Sequence, residues 1–257
     1  YGLGFLYGAS GTTSLVRMAA AWAPHLHATP IAAADTLTLI GLLLAFAGLS
    51  FKIAAVPFHA YVADVYEGAA SPVTALLGFV PKFAGFVALI RILETVHWQL
   101  PASVLWLIWI VGALTMTVGN VLGLLQTNVK RMLAYSSVAH SGYMLLALLV
   151  GPALGAGPMS NGVTALLFYI AVYGVMNLGA FAALASFQRG ARTLETLDDL
   201  SGLARSQPWP GLALSVCAFS LMGFPPTAGF LGKLYIFSGA FSLAPDHAFR
   251  MPLIVLA

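Results

Sequence analysis

Long apolar runs follow one another along almost the whole chain and limit what it can fold into. The run from residue 101 to residue 125 contains no charged residue, and neither does the run from 162 to 187. A membrane-spanning helix needs about 20 mostly apolar residues. Backbone groups in lipid must be hydrogen-bonded within their own segment, so such runs form α-helices. We therefore predict an all-α polytopic membrane protein.

The composition excludes several other classes of protein. Of the 257 residues, 60% are apolar and 7% are charged, whereas about 25% of the residues in a soluble domain are charged. A soluble enzyme and a disordered chain are therefore excluded. The single cysteine, Cys217, excludes a disulfide scaffold. The basic residues are few and form no patch, so we expect no nucleic-acid partner.

Eight apolar runs make up the map of predicted spans. They cover residues 1–16, 36–60, 72–90, 101–125, 131–150, 162–187, 209–243 and 251–257. The chain starts at Tyr1 inside the first run and stops at Ala257 inside the last, and it carries no signal-peptide pattern. We interpret residues 1–257 as a single transmembrane domain that is an internal piece of a longer protein. It would contain about six full spans and partial spans at both ends.

The loops between the runs carry most of the charge. They comprise residues 17–35, 61–71, 91–100, 126–130, 151–161, 188–208 and 244–250. The second, fourth and sixth loops, counted with Arg131, hold five Lys or Arg residues and the other four loops hold three. This bias favours the first set as the cytoplasmic side. Leucines recur at helical spacing in the polar loop 188–208, which forms either a short interfacial helix or a solvated linker.

Three of the four lysines lie inside apolar runs: Lys52, Lys82 and Lys233. A lysine at the centre of a bilayer costs about 2.5–3.5 kcal/mol on insertion scales, so three would cost roughly 8–10 kcal/mol if nothing relieved them. We therefore predict a protein-lined, partly hydrated interior around them. Because burial favours the neutral form of an amine, such lysines can take up and release protons, as a proton relay requires. The alternative is a structural lysine that reaches the interface or binds a carbonyl.

Helix-breaking prolines stand beside two of these lysines. Pro57 follows Lys52 by five residues, and Pro225 and Pro226 precede Lys233. Proline removes a backbone donor and clashes with the preceding turn, and interrupted membrane helices mark ion and substrate sites in transporters. The two runs that combine a lysine with a break suggest two related halves of the chain.

Two histidines are further candidates. His140 can pass protons on, since an unperturbed imidazole titrates near pH 6.5, or it can be a hydrogen-bonded histidine between helices. His59 follows the break at Pro57, and we interpret it first as a brace of that break and second as a proton carrier. The residues near His140 that could hold water are Ser136, Ser137, Ser141 and Tyr143.

No acidic residue lies in the middle of an apolar run. All eight fall in loops or at the edges of runs, so a carboxylate partner for the lysines is expected upstream of this chain or on another subunit. The sequence contains no metal-ligand spacing, no P-loop and no dinucleotide fingerprint. We therefore expect no metal, no cofactor and no redox chemistry in this chain.

Three separated motifs carry a family resemblance. They are FKIAAVPFHAYVADVYEGAASPVTALLGFVPKFAGF, QTNVKRMLAYSSVAHSGYMLLAL and GFPPTAGFLGKLYIF. In content and order they resemble the antiporter-like membrane subunits of respiratory complex I, and the resemblance covers nearly all of the chain. It implies part of a fourteen-helix bundle with two inverted five-helix repeats and broken helices.

The resemblance also implies roles for individual residues. Lys52 matches the lysine of the first broken helix, whose glutamate partner belongs to an upstream segment. Lys82 matches a central relay lysine, and Lys233 matches the lysine of the second broken helix, near the exit. His140 matches a histidine between two half-channels. The helix breaks of the family match Pro57 and Pro225.

By the same resemblance, the chain would be a proton-translocating membrane subunit of an NADH-quinone oxidoreductase in a bacterial plasma (inner) membrane. Its partners would be the lipid bilayer and other membrane subunits, including neighbouring antiporter-like subunits. NADH, FMN, iron–sulfur clusters and quinone would be bound by the wider complex. One alternative is a subunit of a multisubunit sodium/proton antiporter or a membrane-bound hydrogenase, which share the broken-helix lysine motif. Another is a structural scaffold whose lysines bind lipid headgroups.

Overall fold

The computed structural model describes residues 1–23, 36–153, 157–187, 196–243 and 250–256. Within these ranges the regular elements are helices, which confirms the predicted all-α class. In chain order they are α1 (Gly2–Ser10), α2 (Leu15–Trp22), α3 (Thr36–Lys52), α4 (Ala60–Gly68), α5 (Ser71–Thr95), α6 (Ala102–Leu124), α7 (Val129–Val150), α8 (Gly162–Ser186), α9 (Leu197–Leu200), α10 (Leu203–Ser206), α11 (Pro208–Met222), α12 (Ala228–Ser242) and α13 (Arg250–Leu256).

Four of the described helices, α5 to α8, are long and apolar enough to cross a membrane. They coincide within a few residues with four of the apolar runs. α3 and α11 are shorter apolar helices, and after a short gap a second helix follows each of them, α4 and α12. The chain is a multi-pass membrane protein in which two apolar runs form broken helices.

Both gaps contain proline. Residues 53–59 separate α3 from α4 and include Pro57, and residues 223–227 separate α11 from α12 and include Pro225 and Pro226. A proline has no N–H to donate to the carbonyl four residues earlier, and its ring clashes with that carbonyl. Each gap therefore leaves main-chain oxygens that other groups must satisfy.

The structure corrects the predicted span 1–16, which is two helices. α1 ends at Gly11, whose φ of 69° costs glycine little and other residues more. α2 starts after Ser14, whose hydroxyl accepts a hydrogen bond from the N–H of Arg17. The predicted loop 17–35 therefore begins inside a helix. Arg17 marks the edge of the apolar run, but the helix continues past it.

The predicted loop 61–71 is also wrong, because it contains α4. Asp64 and Glu67 give this segment its polar character, yet both lie on α4 and pair with Arg131 of α7. A helix that resumes beyond a break can carry charges as it leaves the apolar layer. The charged residues mark where the apolar run ends, but the chain beyond that point is still helical.

Helix α7 lies at the centre of the bundle and packs against α4, α5, α6, α8 and α12. Most of its residues from Ala134 to Leu149 are buried. Its approach to α6 is close, since a Cβ added to Gly119 would overlap the backbone of Ala139. Small residues permit such close contacts in membranes. Polar side chains of α7 are therefore enclosed by protein.

The polar loop 188–208 is described from residue 196 onward, and its Leu194 lies outside the described residues. Thr196 forms a capping box with Asp199 at the start of α9. α9 and α10 have four residues each, so the described part of the loop holds two short helices where either one short interfacial helix or a linker was predicted. An antiparallel bridge joins Thr196 to Asn128, in the loop before α7.

Candidate proton path

Lys82 is buried at the centre of the bundle. The residue is 2% exposed. Its Nζ donates hydrogen bonds to the main-chain oxygen of Ser137 and to Oγ of Ser141, which is 2.9 Å away. Both acceptors lie on α7, one turn apart. The amine thus points into the protein and away from lipid and headgroups.

Lys52 ends α3 and borders the same cavity as Lys82. The predicted enclosure is wrong for Lys52 among the described residues, because its side chain is exposed at the end of α3. The cavity has a volume of about 70 Å³, and Tyr61 and Tyr66 of α4 form part of its wall. One water needs about 10–15 Å³ of such space, so water can connect the two amines. Among the described residues no carboxylate pairs with Lys52.

The first break supplies a free carbonyl to this site. Pro57 has no N–H, so the oxygen of Ile53, four residues earlier, has no helical donor. Oγ of Ser141 donates to this oxygen at 2.7 Å, and the same Oγ accepts the hydrogen bond from Lys82. The break and the buried lysine are therefore joined through one hydroxyl group.

The second break binds its lysine directly. Pro225 and Pro226 remove the donors that would reach Leu221 and Met222, four residues earlier. Nζ of Lys233 donates to the oxygen of Leu221 at 3.1 Å and to that of Met222 at 3.0 Å. The ammonium group thus satisfies the two carbonyls that the prolines leave free.

Gly223 makes room for this contact. It ends α11 with a φ of 87°, and a Cβ at this position would lie against the Lys233 side chain. Residues other than glycine rarely adopt such a conformation. The Nζ of Lys233 also lies 4.9 Å from the ring centre of Tyr143, which places it beside α7.

His140, on α7, lies between Lys82 of α5 and Lys233 of α12. The residue is 3% exposed, and its Nδ1 is 2.6 Å from the hydroxyl of Tyr169. Its ring centre is 6.0 Å from that of Tyr143, the residue beneath Lys233. His140 therefore lies where a group between two half-channels would lie.

A hydroxyl cluster connects Lys82 to His140. The hydroxyl of Tyr173 donates to Oγ of Ser137 at 2.8 Å, and the ring of Tyr173 lies 5.1 Å from that of His140, centre to centre. Lys82 Nζ is 5.8 Å from the same Tyr173 ring. Tyr173 thus contacts both predicted proton carriers.

Sequence reasoning missed three side chains of α8 that line this region. Tyr169, Tyr173 and Asn177 are buried and follow one another at intervals of four residues. That spacing places them on one face of a helix, in a run with no charged residue. Asn177 holds the cluster in place by donating to the oxygen of Ala75 at 3.2 Å. The polar stripe was the signal that could have found them.

His59 stands at the start of α4, as its place after Pro57 predicts. Its Nδ1 is buried, and no described residue makes a hydrogen bond with it. A supporting role for His59 stays a prediction. Within the described residues, no three His, Cys, Asp or Glu side chains are grouped as metal ligands would be.

Lys82, His140 and Lys233 are thus neighbours within the bundle, and the exposed Lys52 borders the cavity beside Lys82. Lys52 and Lys82 share a cavity. Lys82 contacts Oγ of Ser141, the His140 ring lies beside the Tyr173 and Tyr143 rings, and Lys233 lies over the Tyr143 ring. A carbonyl contact alone would also suit a structural lysine. The hydroxyl and imidazole groups near the amines favour a relay, since each can accept one proton and release another.

Comparison with known proteins places this geometry in context. The model of the family described as NADH:quinone oxidoreductase/Mrp antiporter, TM, matches residues 1–254. NADH-quinone oxidoreductase subunit N of Trichlorobacter lovleyi is 44% identical over 240 residues, which are 93% of this chain and 47% of that protein. By their resemblance the three motifs predict subunit N, the counterpart of mitochondrial subunit 2, and this relative carries the name subunit N.

Two solved structures resemble the chain. One is a chain of respiratory complex I from Thermus thermophilus with bound aureothin, with a TM-score of 0.73 and 34% identity, covering 100% of this chain and 51% of that one. The other belongs to the Mrp complex of a Dietzia species, with a TM-score of 0.77 and 27% identity, covering 99% and 44%. The chain spans about half the length of the curated relatives that it matches.

Proposed function

The chain belongs to the family of NADH:quinone oxidoreductase and Mrp antiporter transmembrane subunits, and we propose that it is part of a subunit of the N type that carries protons across a bacterial plasma membrane. The buried amine of Lys82 is the observation that carries this proposal. It lies in a protein-lined site, shares a cavity with a second lysine and contacts two serines of α7.

The geometry supports a stepwise transfer. A proton reaches Lys52, crosses the cavity to Lys82, whose amine contacts Oγ of Ser141, and moves past the Ser137–Tyr173 hydroxyl pair toward His140. Water would carry it across the steps for which the described residues show no hydrogen bond. The imidazole then passes it to the side of Lys233. Two ammonium groups on one cavity repel each other, so protonation of Lys52 favours release of the proton from Lys82. The titrations of the two amines are therefore coupled.

The energy for transport comes from elsewhere in this proposal. NADH, FMN, iron–sulfur clusters and quinone are handled by other subunits of the complex, and this chain takes part in no redox step. A shift of charge at a neighbouring membrane subunit acts on Lys52 and changes its proton occupancy. The partners are therefore other membrane subunits, including antiporter-like ones, and lipid.

A sodium/proton antiporter or hydrogenase subunit is the second candidate. The likeness to the Mrp complex structure favours it. The higher identity to the subunit N of T. lovleyi and to the complex I chain favours the first candidate. Pumping that is driven by NADH and needs no sodium distinguishes the first candidate from the second.

The test is Lys82→Met in the full-length subunit within the assembled complex. We expect NADH-driven acidification of inverted membrane vesicles to fall by about 10²-fold or more, the scale on which a positioned proton-transfer group acts. Arg91→Gln is the matched control, because in the described part of the chain Arg91 pairs with Glu94 of its own helix, outside the path. Full acidification in Lys82→Met vesicles, with the complex assembled, would contradict the proposal.

A further inference from the structure

Arg131 joins α7 to the second half of the first broken helix. Its Nη1 lies 2.7 Å from Oδ1 of Asp64 and 2.6 Å from Oε2 of Glu67. Its Nε donates to Oε1 of Gln126 at 3.1 Å. Asp64 and Glu67 are three residues apart on α4, where two like charges repel. One guanidinium group therefore holds two carboxylates that would otherwise destabilise α4.

Two neighbours of Arg131 hold the end of the same helix. Nζ of Lys130 donates to the oxygen of Ala69 at 3.0 Å and to that of Glu67 at 3.4 Å. Nδ2 of Asn128 lies 3.3 Å from Oε1 of Glu67. Cations suit the C-terminal end of a helix, where carbonyls lack intrahelical donors. The first residues of α7 and the residue before it thus contact α4 along its side, through Asp64 and Glu67, and at its C-terminal end, through main-chain oxygens.

The opposite part of α4 borders the proton path. Tyr61 and Tyr66 line the cavity between Lys52 and Lys82. The Tyr66 hydroxyl lies 3.4 Å from Oγ of Ser137, one of the hydroxyls of the path. Any shift of α4 changes the width of this cavity and the position of a hydroxyl beside Ser137.

The backbone before α4 does not set the orientation of this helix. α4 has nine residues, and a helix this short is marginal without tertiary contacts. Residues 53–59 before it are not helical, so α3 cannot hold it as a continuous helix would. Tertiary contacts must therefore fix its position. Val62, Ala63 and Tyr66 join an apolar cluster with residues of α7 and α8. Tyr61 stacks on Phe51 at the end of α3, and Arg131 binds the two carboxylates.

From this geometry we propose that Arg131 is a positioning residue for the proton path. By binding Asp64 and Glu67 it holds α4, and so it sets the cavity between Lys52 and Lys82. This inference rests on the proposed function, since it assigns to Arg131 an effect on the same path. Arg131 itself transfers no proton.

The experiment is a double-mutant cycle in the full-length subunit of the assembled complex. Arg131→Gln is expected to lower NADH-driven proton uptake by about tenfold, because a small misplacement of a transferring group slows transfer on that scale. Asp64→Asn with Glu67→Gln removes the same contacts from the α4 side and should cause a similar loss. Combined with Arg131→Gln, these two changes should cause no further loss, since coupled residues are not additive.

A conservative variant separates positioning from general damage. Arg131 reaches both acids through the single atom Nη1, so the ammonium of Arg131→Lys can contact them as well, and we expect at least half of the wild-type uptake. Arg91→Gln, which breaks an exposed pair inside α5, should leave uptake unchanged. If Arg131→Gln reduces assembly, proton uptake is compared instead between the Asp64→Asn, Glu67→Gln double variant and Arg131→Lys.

Three results would overturn the inference: normal uptake in Arg131→Gln, losses that multiply in the triple variant, or an Arg131→Lys variant as slow as Arg131→Gln. Lys82→Met is measured in parallel. If Lys82→Met pumps normally, the proposed function itself fails. If Lys82→Met stops pumping while Arg131→Gln pumps normally, the positioning role alone fails.

Discussion

A buried ammonium group needs acceptors, and Lys82 finds them on α7. The main-chain oxygen of Ser137 and Oγ of Ser141 accept its hydrogen bonds. A charged lysine has three donors, and its neutral amine keeps two, so these acceptors serve both forms. Oγ of Ser141 in turn donates to Ile53. The site therefore accommodates a change in the charge of Lys82 without leaving a buried acceptor unpaired.

Tyr173→Phe tests the hydroxyl cluster at the residue scale. The change removes the donor to Ser137, and we expect proton uptake to fall by about tenfold, which corresponds to about 1.4 kcal/mol on the barrier. Assembly should persist, because one hydrogen bond contributes only about 1 kcal/mol. Tyr235→Phe is the control, since that ring packs on Phe168 outside the path. If Tyr173→Phe takes up protons as fast as Tyr235→Phe, the Tyr173 hydroxyl is not part of the path.

Individual site residues differed in how well the sequence indicated them. Lys52, Lys82 and Lys233 stand out because a charge inside an apolar run is costly. Tyr173 does not stand out, since a tyrosine also suits an apolar helix as a packing residue. Its role depends on Ser137 of another helix, and no pattern along the chain contains that contact.

Each helix break provides main-chain carbonyls that side chains of the proposed path bind. The oxygen of Ile53 receives a hydrogen bond from Ser141, and those of Leu221 and Met222 receive hydrogen bonds from Lys233. In each case the oxygen lies four residues before a proline. The prolines therefore place acceptors where the path needs them, and a continuous helix would have kept those oxygens for itself.

Gly223→Ala tests the second break at the element scale. Alanine at a φ of 87° costs roughly 1–2 kcal/mol, and its Cβ would press on Lys233. Gly202→Ala is the matched control, because its φ is 78° and no atom lies within 4 Å of the added Cβ. Assembly of the complex on native gels should weaken in both variants, whereas the proton uptake per assembled complex should fall only in Gly223→Ala. A similar loss of uptake in both would show that backbone strain, and not the contact with Lys233, is responsible.

The elements were predictable to different degrees. The four long spans follow from apolar length, and proline indicated where two further runs are interrupted. The division of residues 1–16 into two helices was missed although residues 10–14 read SGTTS, because the flanking apolar residues were counted as one run. A glycine followed by a serine or threonine is a typical end of one helix and start of the next. α4 was taken for a loop because Asp64 and Glu67 are charged. Their partner, Arg131, lies more than sixty residues away, beyond the reach of local patterns.

At the scale of the whole molecule, the central helix α7 is the element on which the path converges. It packs against both α4 and α12, and it carries Ser137, His140, Ser141 and Tyr143. The first broken helix approaches one end of this series and the second approaches the other. A proton that passes from one broken helix to the other must therefore pass along α7.

The central claim is that Lys82 and Lys233 act in series on one path. The most direct measurement is NADH-driven proton uptake per assembled complex in vesicles that carry Lys82→Met, Lys233→Met or both. A single path predicts that the double variant pumps at the rate of the slower single variant, because a path already interrupted cannot be interrupted again. A double variant whose loss equals the product of the two single losses would contradict the account.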